Sequence, residues 1–198
     1  MESIYGSRYS ELEETMHIIL DEINTVREKT LAHSDIDPIE HITYRIKSEK
    51  SMIEKLERKG LPKTTESAME LVHDAVGIRV VCAFLNDVYM IVDHLKNING
   101  CEVTEEKDYI RHAKENGYRS YHLVLRVKNR TYAEVQLRTI SQDTWAALEH
   151  NIHYKKEKTD MEKLISEELK RCADELASTD LSMQTIRDMI ERLGREQG

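Results

Sequence analysis

The sequence has few of the residues that mark linker-rich, disulfide-bonded or membrane-spanning proteins. Its 198 residues include two prolines and seven glycines, without a biased tract, which excludes collagen-like, mucin-like and linker-dominated chains. Cys82, Cys101 and Cys172 lack CxxC spacing, so we expect neither a disulfide framework nor a zinc site. No run approaches the roughly 18 apolar residues of a membrane span, and charges interrupt the start of the chain where a signal peptide needs an apolar stretch. We therefore expect a protein of the reducing cytoplasm with no membrane partner.

Charge is unevenly distributed along the chain. The protein carries 29 basic and 37 acidic residues, a formal net charge of −8. Residues 45–63 nevertheless hold seven basic side chains against three acidic ones, and residues 107–130 hold seven against two. Two basic islands in an acidic protein indicate a local site for a compact polyanion, although a single charged run is more often a solvated face.

Hydrophobic periodicity predicts a mixed sheet flanked by helices. Helices are expected at about 9–30, from Ser48 to a left-handed cap at Gly60, and at 65–73, 87–98, 141–157, 160–178 and 181–194. Asp37-Pro38 is typical of a helix or turn start. Alternating residues predict a short strand at 42–46, and apolar runs predict strands at 76–84, 101–110, 121–128 and 132–138. The near-continuous apolar run at 76–84 indicates a strand covered on both faces.

Two carboxylates accompany the predicted strands. Asp74 directly precedes the apolar strand, and Glu134 shares one face of the last strand with Gln136 and Arg138, because alternate side chains of a strand point the same way. One or two carboxylates together with substrate phosphates are the ligands that Mg²⁺ prefers. A carboxylate can also accept a proton from an attacking hydroxyl. Taken alone, Asp74 is better interpreted as a surface carboxylate at a helix end, and the polar face of the last strand is compatible with simple solvation.

Two further segments carry groups suited to nucleotides. Arg45 and Lys47 share a strand face, with Lys55 on the helix that follows, and such cations suit phosphates. The turn signal Asn116-Gly117 leaves Tyr118 on a loop flanked by cations, where its ring can stack on a base. The alternative for the loop is an ordinary hairpin turn. His150 and His153 have i,i+3 spacing but lack a third clear ligand, which favours polar contacts over a metal site.

Six segments together have the order and spacing of the RelA/SpoT-type alarmone synthetase domain: 44–47, 74–79, 107–110, 116–122, 134–139 and 149–155. The chain resembles this family over roughly residues 40–158. The resemblance implies an α+β fold, a mixed five-stranded sheet of nucleotidyltransferase character flanked by helices, with helical N- and C-terminal extensions. It also implies a single synthetase domain over 1–198 without a hydrolase domain, in which 159–198 serve packing or oligomerisation.

The resemblance further implies transfer of the β,γ-pyrophosphoryl group of ATP to the ribose 3′-hydroxyl of GTP or GDP, which makes pppGpp or ppGpp. Mg²⁺ would be held by Asp74 and Glu134, and Glu134 is the candidate base for the 3′-hydroxyl. The ATP side would comprise Arg45, Lys47, Lys55 and Arg79. The acceptor nucleotide would stack on Tyr118 and contact Lys107, Lys114, His122 and Gln136. Positioning and charge stabilisation supply most of the catalysis in such transfers.

One departure from the family and two alternative functions remain. Relatives often carry prolines beside the lysine of the Asn-Gly-Tyr loop, where this chain has Ala113 and Glu115, so we expect a less preorganised loop. Toxic relatives pyrophosphorylate adenine nucleotides or the 3′ end of tRNA, but the net acidic C-terminal region disfavours a stable nucleic-acid complex. A catalytically inactive module that binds guanine nucleotides or RNA would not need both Asp74 and Glu134.

An apolar stripe lies on the first C-terminal helix, formed by Leu164, Ile165, Leu169, Cys172 and Leu176. It would expose a sizeable patch unless another surface covers it, and such patches are rare on monomers. The alternative is that the terminal helices fold back onto their own sheet. Small relatives assemble into tetramers through their terminal helices, so the resemblance implies a homo-oligomer and favours a tetramer.

Overall fold

A computed structural model describes residues 3–152 and 160–196. Five strands form one sheet in the order β1-β2-β5-β4-β3. Their bounds are β1 Ile39–Ile46, β2 Val76–Cys82, β3 Cys101–Asp108, β4 Tyr121–Val127 and β5 Thr131–Thr139. β2 and β5 are parallel and the other neighbours are antiparallel. The predicted five-stranded mixed sheet of an α+β fold is therefore confirmed.

Six α-helices surround the sheet within the described residues. Their bounds are α1 Tyr9–Leu31, α2 Glu49–Lys59, α3 Thr65–Glu70, α4 Leu85–Lys96, α5 Ile140–Asn151 and α6 Asp160–Glu196. Asp37 begins a turn rather than a helix, because its carboxylate accepts the backbone N–H of Ile39 at the start of β1. The predicted continuation of α5 to residue 157 falls largely on residues 153–159, which lie outside the described residues.

One face of the sheet packs against α1 and α4. Ile19 and Ile23 of α1 and Ile91 and Leu95 of α4 are fully buried, as is Val135 of β5. Each large aliphatic side chain buried in this way contributes about 1.5–3 kcal/mol. The apolar residues of the two helices recur at helical spacing, and the inward residues of the strands alternate with the outward ones. The opposite face of the sheet is thereby left for polar side chains.

The α2 helix is bounded as the sequence predicted. The Ser48 hydroxyl accepts the backbone N–H of Ser51 at 3.3 Å, which satisfies a free donor of the first turn. Gly60 ends the helix at φ 67°, a left-handed conformation that glycine adopts without steric cost. With Met52 and Leu56 buried, the helix holds Lys55 on a rigid element beside the sheet.

The two helices predicted at 160–178 and 181–194 are one continuous helix, α6, so the predicted break is wrong. The predicted boundary falls at residues 179–180. Asp180 is instead buried inside the helix and accepts hydrogen bonds from Thr139 at 2.6 Å and from Gln142 at 3.4 Å. These contacts with residues 38 or more positions away explain why a polar residue is buried in the middle of a helix.

The cysteines and the helix lengths concern the expectations about disulfides and membrane spans. Cys82, Cys101 and Cys172 are free thiols, and Cys82 is buried. Across residues 3–152 and 160–196, none of the helices combines the length and the apolar character that crossing a bilayer requires.

Candidate active site

The sheet face opposite α1 and α4 opens into a cleft of about 190 Å³ over β1, β2 and β5. The strand register sets Arg45 beside Gly77 and Gly77 beside Glu134, and it sets Arg79 beside Gln136. Since side chains alternate along a strand, all of these positions face the cleft. The prediction that β2 is covered on both faces is therefore wrong for its first half. The predicted polar face of β5 is confirmed.

Asp74 lies two residues before β2, between two lysines. Its Oδ2 atom is 2.5 Å from Lys55 Nζ and 3.2 Å from Lys47 Nζ. Burial alone would raise the pKa of Asp74, but the hydrogen bond from Lys55 and the charges of both lysines bring it below its ordinary value. Asp74 is therefore ionised at neutral pH.

The backbone of Lys47 is fixed from two sides. Its N–H donates to the carbonyl of Ala75 at 2.8 Å, and its carbonyl accepts the hydroxyl of Tyr5 at 2.6 Å. Tyr5 is fully buried, and burial raises its pKa to about 12. Sequence reasoning did not identify Tyr5 as part of the site, because the contact joins residues 42 positions apart.

The second oxygen of Asp74, Oδ1, is buried and has no hydrogen-bond partner. An unpartnered buried acceptor costs about 1–3 kcal/mol, so this oxygen is suited to a ligand. The nearby charge of Asp74 acts to raise the pKa of Glu134, and both residues line the same cleft. No cluster of three or more His, Cys, Asp and Glu suited to a metal occurs in the described part of the chain. Two carboxylates completed by substrate phosphates fit Mg²⁺.

Glu134 is held by two polar neighbours. Its Oε1 atom is 3.4 Å from His122 Nδ1, and its Oε2 atom accepts the side-chain amide of Gln136 at 3.2 Å. The hydrogen bond from His122 lowers the pKa of Glu134 against the opposing effects of burial and of Asp74. The carboxylate is thus ionised and can accept a proton.

The loop between β3 and β4, residues 109–120, brings three predicted acceptor residues together. The Tyr118 hydroxyl lies 2.9 Å from His122 Nε2. Lys114 Nζ lies 5.0 Å from the Tyr118 ring centre and 4.6 Å from that of Tyr109. Sequence reasoning did not select Tyr109, although it lies within the matched segment 107–110; its ring lies 6.2 Å from that of Tyr118.

Asn116 and Gly117 form the turn that presents Tyr118. The Asn116 side-chain oxygen accepts the backbone N–H of Tyr118 at 3.1 Å, and Gly117 has φ +92°. This backbone conformation favours glycine. The turn signal in the sequence is therefore confirmed, while the neighbouring Ala113 and Glu115 are exposed.

Lys107 and Arg138, two cations beside the cleft, each form an ion pair with a carboxylate of the protein. Lys107 lies opposite His122 in the register and forms an ion pair with Glu105, which raises its pKa. Arg138 is buried rather than solvated and pairs with Asp143 at 2.6 Å. Burial and the nearby charge of Arg79 lower the pKa of Arg138.

The last motif is described only in part. Glu149 accepts a long hydrogen bond from the side chain of Asn116, at 3.5 Å, so α5 reaches the loop. His153 and the rest of the motif to residue 155 lie outside the described residues, so the interpretation of His150 and His153 stays a prediction.

Known proteins match both the sequence and the fold. Residues 44–159 match a family model described as "Region found in RelA / SpoT proteins". The chain is 40% identical over 172 residues to GTP pyrophosphokinase YwaC of Bacillus subtilis, covering 83% of this chain and 81% of that protein. It is 32% identical over 190 residues to GTP pyrophosphokinase YjbM of the same organism, covering 92% and 87%. The small alarmone synthetase 1 of Bacillus subtilis, solved bound to its product pppGpp, superposes with a TM-score of 0.75 at 27% identity, covering 90% of this chain and 94% of that one.

Proposed function

The chain belongs to the RelA/SpoT family, and we propose that it is a GTP pyrophosphokinase that makes the alarmones pppGpp and ppGpp in the stringent response. It transfers the β,γ-pyrophosphate of ATP to the ribose 3′-hydroxyl of GTP or GDP. The observation that carries this function is a cleft lined by two ionised carboxylates, of which Asp74 contacts a lysine pair and Glu134 is connected through His122 to the tyrosine loop. The curated relatives named GTP pyrophosphokinase support it.

The donor side of the cleft consists of cations on three elements. Lys47 and Arg45 come from the end of β1, Lys55 from α2 and Arg79 from β2. In the free protein both lysines contact Asp74. We infer that the ATP phosphates take over these ammonium groups, because phosphates carry more charge than one carboxylate. Arg45 and Arg79 are exposed in the cleft and reach the nucleotide.

The acceptor side begins at Tyr118, whose ring stacks on guanine. Lys114 and Lys107 contact the acceptor phosphates, and His122 and Gln136 position the ribose end of the nucleotide beside Glu134. The short distances from His122 to both Tyr118 and Glu134 support this arrangement. Lys107 exchanges its present partner Glu105 for phosphate when the acceptor binds.

Glu134 is the general base. It accepts the proton of the 3′-hydroxyl, the 3′-oxygen forms a bond to the β-phosphorus of ATP, and the bond from that phosphorus to the α,β-bridging oxygen breaks, so AMP leaves. The lowered pKa of Glu134 keeps it ionised for this task. Orientation of the two nucleotides supplies a large part of the rate acceleration.

Asp74 and Glu134 would also hold Mg²⁺. The buried, unpartnered Oδ1 atom of Asp74 supports this assignment. When bound, the ion supplies charge neutralisation at the transferring phosphates. Because the two residues offer only two carboxylates, the ion would arrive with a nucleotide rather than bind tightly to the free protein.

We further propose a cytoplasmic homo-oligomer, in the first place a tetramer, in which residues 1–198 form one catalytic domain. Free cysteines fit a reducing compartment. Large apolar side chains exposed on α6 support assembly, namely Met183, Ile186, Ile190 and Leu193. The stripe predicted from the sequence is a weaker candidate, because Ile165, Leu169, Cys172 and Leu176 are half-buried and only Leu164 is largely exposed.

The test is incubation of ATP labelled in its terminal phosphates with GDP, GTP, AMP or tRNA, one acceptor at a time. We expect labelled product with GDP and GTP only, together with AMP. Product from AMP or tRNA would instead identify a toxic-type acceptor specificity. Binding of GDP without any product would identify a non-catalytic module. We expect no stable nucleic-acid complex in a gel-shift assay with tRNA.

A further inference from the structure

We propose that Arg119 and Asp174 are positioning residues through which α6 holds the acceptor loop, residues 109–120, in the form that binds the acceptor nucleotide. The proposal rests on the proposed function for the identity of that nucleotide. Asp174 lies beyond residue 159, outside the segment that matches the family model. The C-terminal helix thereby acquires a role in substrate binding in addition to packing.

Arg119 connects α6 with both ends of the loop. Its NH2 group donates to Asp174 Oδ1 at 2.8 Å, and its NH1 group donates to the carbonyl of Ile110 at 3.4 Å. Arg119 itself directly follows Tyr118. A planar guanidinium can make both bonds at once in a fixed geometry, and only 18% of this side chain is exposed.

Gly117 lies directly against the same helix. A Cβ atom at this position would be 2.7 Å from the Cβ of Ala173 and 3.2 Å from the Cα of Lys170. The turn that presents Tyr118 therefore packs closely against α6 at the backbone of Lys170 and the side chain of Ala173, the residue before Asp174. The contact and the ion pair lie on successive residues of the helix, so both depend on its position.

Trp145 of α5 supplies a third connection. Its indole N–H donates to the carbonyl of Leu169 on α6 at 2.8 Å, and its ring centre lies 6.5 Å from that of Tyr118. The Tyr118 ring therefore lies close to the strand residue His122 and to Trp145, which is itself hydrogen-bonded to α6.

External support adds to the few restrictions that the loop sequence itself places on its backbone around Lys114. Ala113 and Glu115 are exposed and provide no ring to restrict the backbone. A loop ordered in advance does not lose conformational entropy when the nucleotide binds, which strengthens binding. The donor lysines lie on β1 and α2, whereas the principal contacts of α6 are with α5 and α4. Loss of the support should consequently weaken acceptor binding and leave ATP binding intact.

The experiment uses the full chain with Asp174→Ala, Arg119→Ala and the double variant. Equilibrium dialysis with labelled GDP, without ATP, measures acceptor affinity independently of turnover. Initial rates give the KM of each nucleotide. Trp145 is the only tryptophan of the chain, so its emission spectrum reports on the junction of the loop with α6. Glu175→Ala is the matched control, because Glu175 is the next residue of the helix and pairs with the exposed Arg171 of α6.

We expect Asp174→Ala to raise the Kd and KM for GDP about two- to fivefold, the range of a partly exposed ion pair, and to shift Trp145 emission to longer wavelength. The KM for ATP stays unchanged in Asp174→Ala, and Asp174→Asn retains most of the affinity for GDP. The double variant binds GDP no more weakly than Arg119→Ala, because the two residues act together. Unchanged GDP affinity in Asp174→Ala, equal effects on both nucleotides, or an equal effect of Glu175→Ala would overturn the proposal. A wild-type protein that binds GDP but forms no product would overturn the proposed function instead.

Discussion

The Nδ1 atom of His122 lies 3.4 Å from Glu134 Oε1, and the other ring nitrogen of the same histidine lies 2.9 Å from the Tyr118 hydroxyl. One imidazole thus connects Tyr118, which is proposed to stack on guanine, with Glu134, which is proposed to accept the proton of the 3′-hydroxyl. With Nδ1 protonated, the ring donates to Glu134 and accepts from Tyr118. The two ends of the acceptor site are therefore held at a fixed separation.

Removal of the Tyr118 ring is expected to weaken acceptor binding selectively. Stacking on an aromatic ring contributes about 1–3 kcal/mol per base, so Tyr118→Ala should raise the KM for GDP roughly 5- to 150-fold. The KM for ATP should change little, since the donor cations lie on β1, α2 and β2. Tyr118→Phe is the control, because it keeps the ring and loses only the bond to His122. Equal rises in both KM values would indicate a collapsed loop rather than lost stacking.

Neutralisation of either carboxylate is expected to stop synthesis. Asp74→Asn or Glu134→Gln should lower kcat about 10²- to 10³-fold, the effect of removing one charged group that stabilises a transition state. Circular dichroism should show an unchanged fold, and Glu54→Gln, an exposed carboxylate on α2, should retain full activity. Normal turnover of either variant at saturating Mg²⁺ would remove that residue from its assigned role.

Loss of the Tyr5 hydroxyl is expected to destabilise the donor side. Tyr5→Phe removes the hydrogen bond to the Lys47 carbonyl, which should lower the free energy of unfolding by about 1 kcal/mol and raise the KM for ATP. Tyr9→Phe is the control, because Tyr9 is 42% exposed. Urea denaturation of all three proteins measures the effect.

The same bond has a defined pH dependence. The pKa of Tyr5 is raised in the fold to about 12, above its unfolded value of about 10. A raised pKa means that the hydroxyl contributes its full stability below about pH 10 and loses it as the pH rises toward 12. The difference between wild type and Tyr5→Phe should thus be equal at about pH 7 and about pH 9. A difference that already declines over this range would contradict the assignment.

The cleft could be predicted from the sequence where local rules determine it. Alternation along β5 places Glu134 and Gln136 on one face, and the Asn-Gly signal presents Tyr118. Both follow from residues that are neighbours in the chain, and backbone geometry restricts them strongly. The strand register then aligns these faces across β1, β2 and β5.

Features that depend on distant contacts could not be predicted in this way. Asp180, in the middle of α6, accepts a hydrogen bond from Thr139, and the backbone carbonyl of Lys47 accepts one from Tyr5. The support of the acceptor loop by Asp174 likewise joins residues 55 positions apart. In each case the local pattern is compatible with a solvated polar residue, and only the tertiary fold supplies the partner.

The second half of α6 carries the surface on which assembly is expected to depend. Met183, Ile186, Ile190 and Leu193 recur at intervals of three and four residues and are 47%, 48%, 57% and 58% exposed. This spacing forms one stripe along a helix and is the pattern that packs helix against helix. Gln184 and Arg187 of the same helix face the protein and are buried, so the stripe points away from its own chain.

The double variant Ile186→Glu, Ile190→Glu is therefore expected to dissociate the oligomer. Closed symmetry repeats each substitution at every copy of the interface, which multiplies its effect. Light scattering should give a mass above one chain for the wild type, with four chains as the first expectation, and a smaller mass for the variant at unchanged helix content. Ser178→Glu, Thr185→Glu is the matched control, because it adds the same charge at exposed polar residues of α6 outside the stripe. A wild-type mass of one chain across micromolar concentrations, or equal dissociation in the control, would contradict assembly through this stripe.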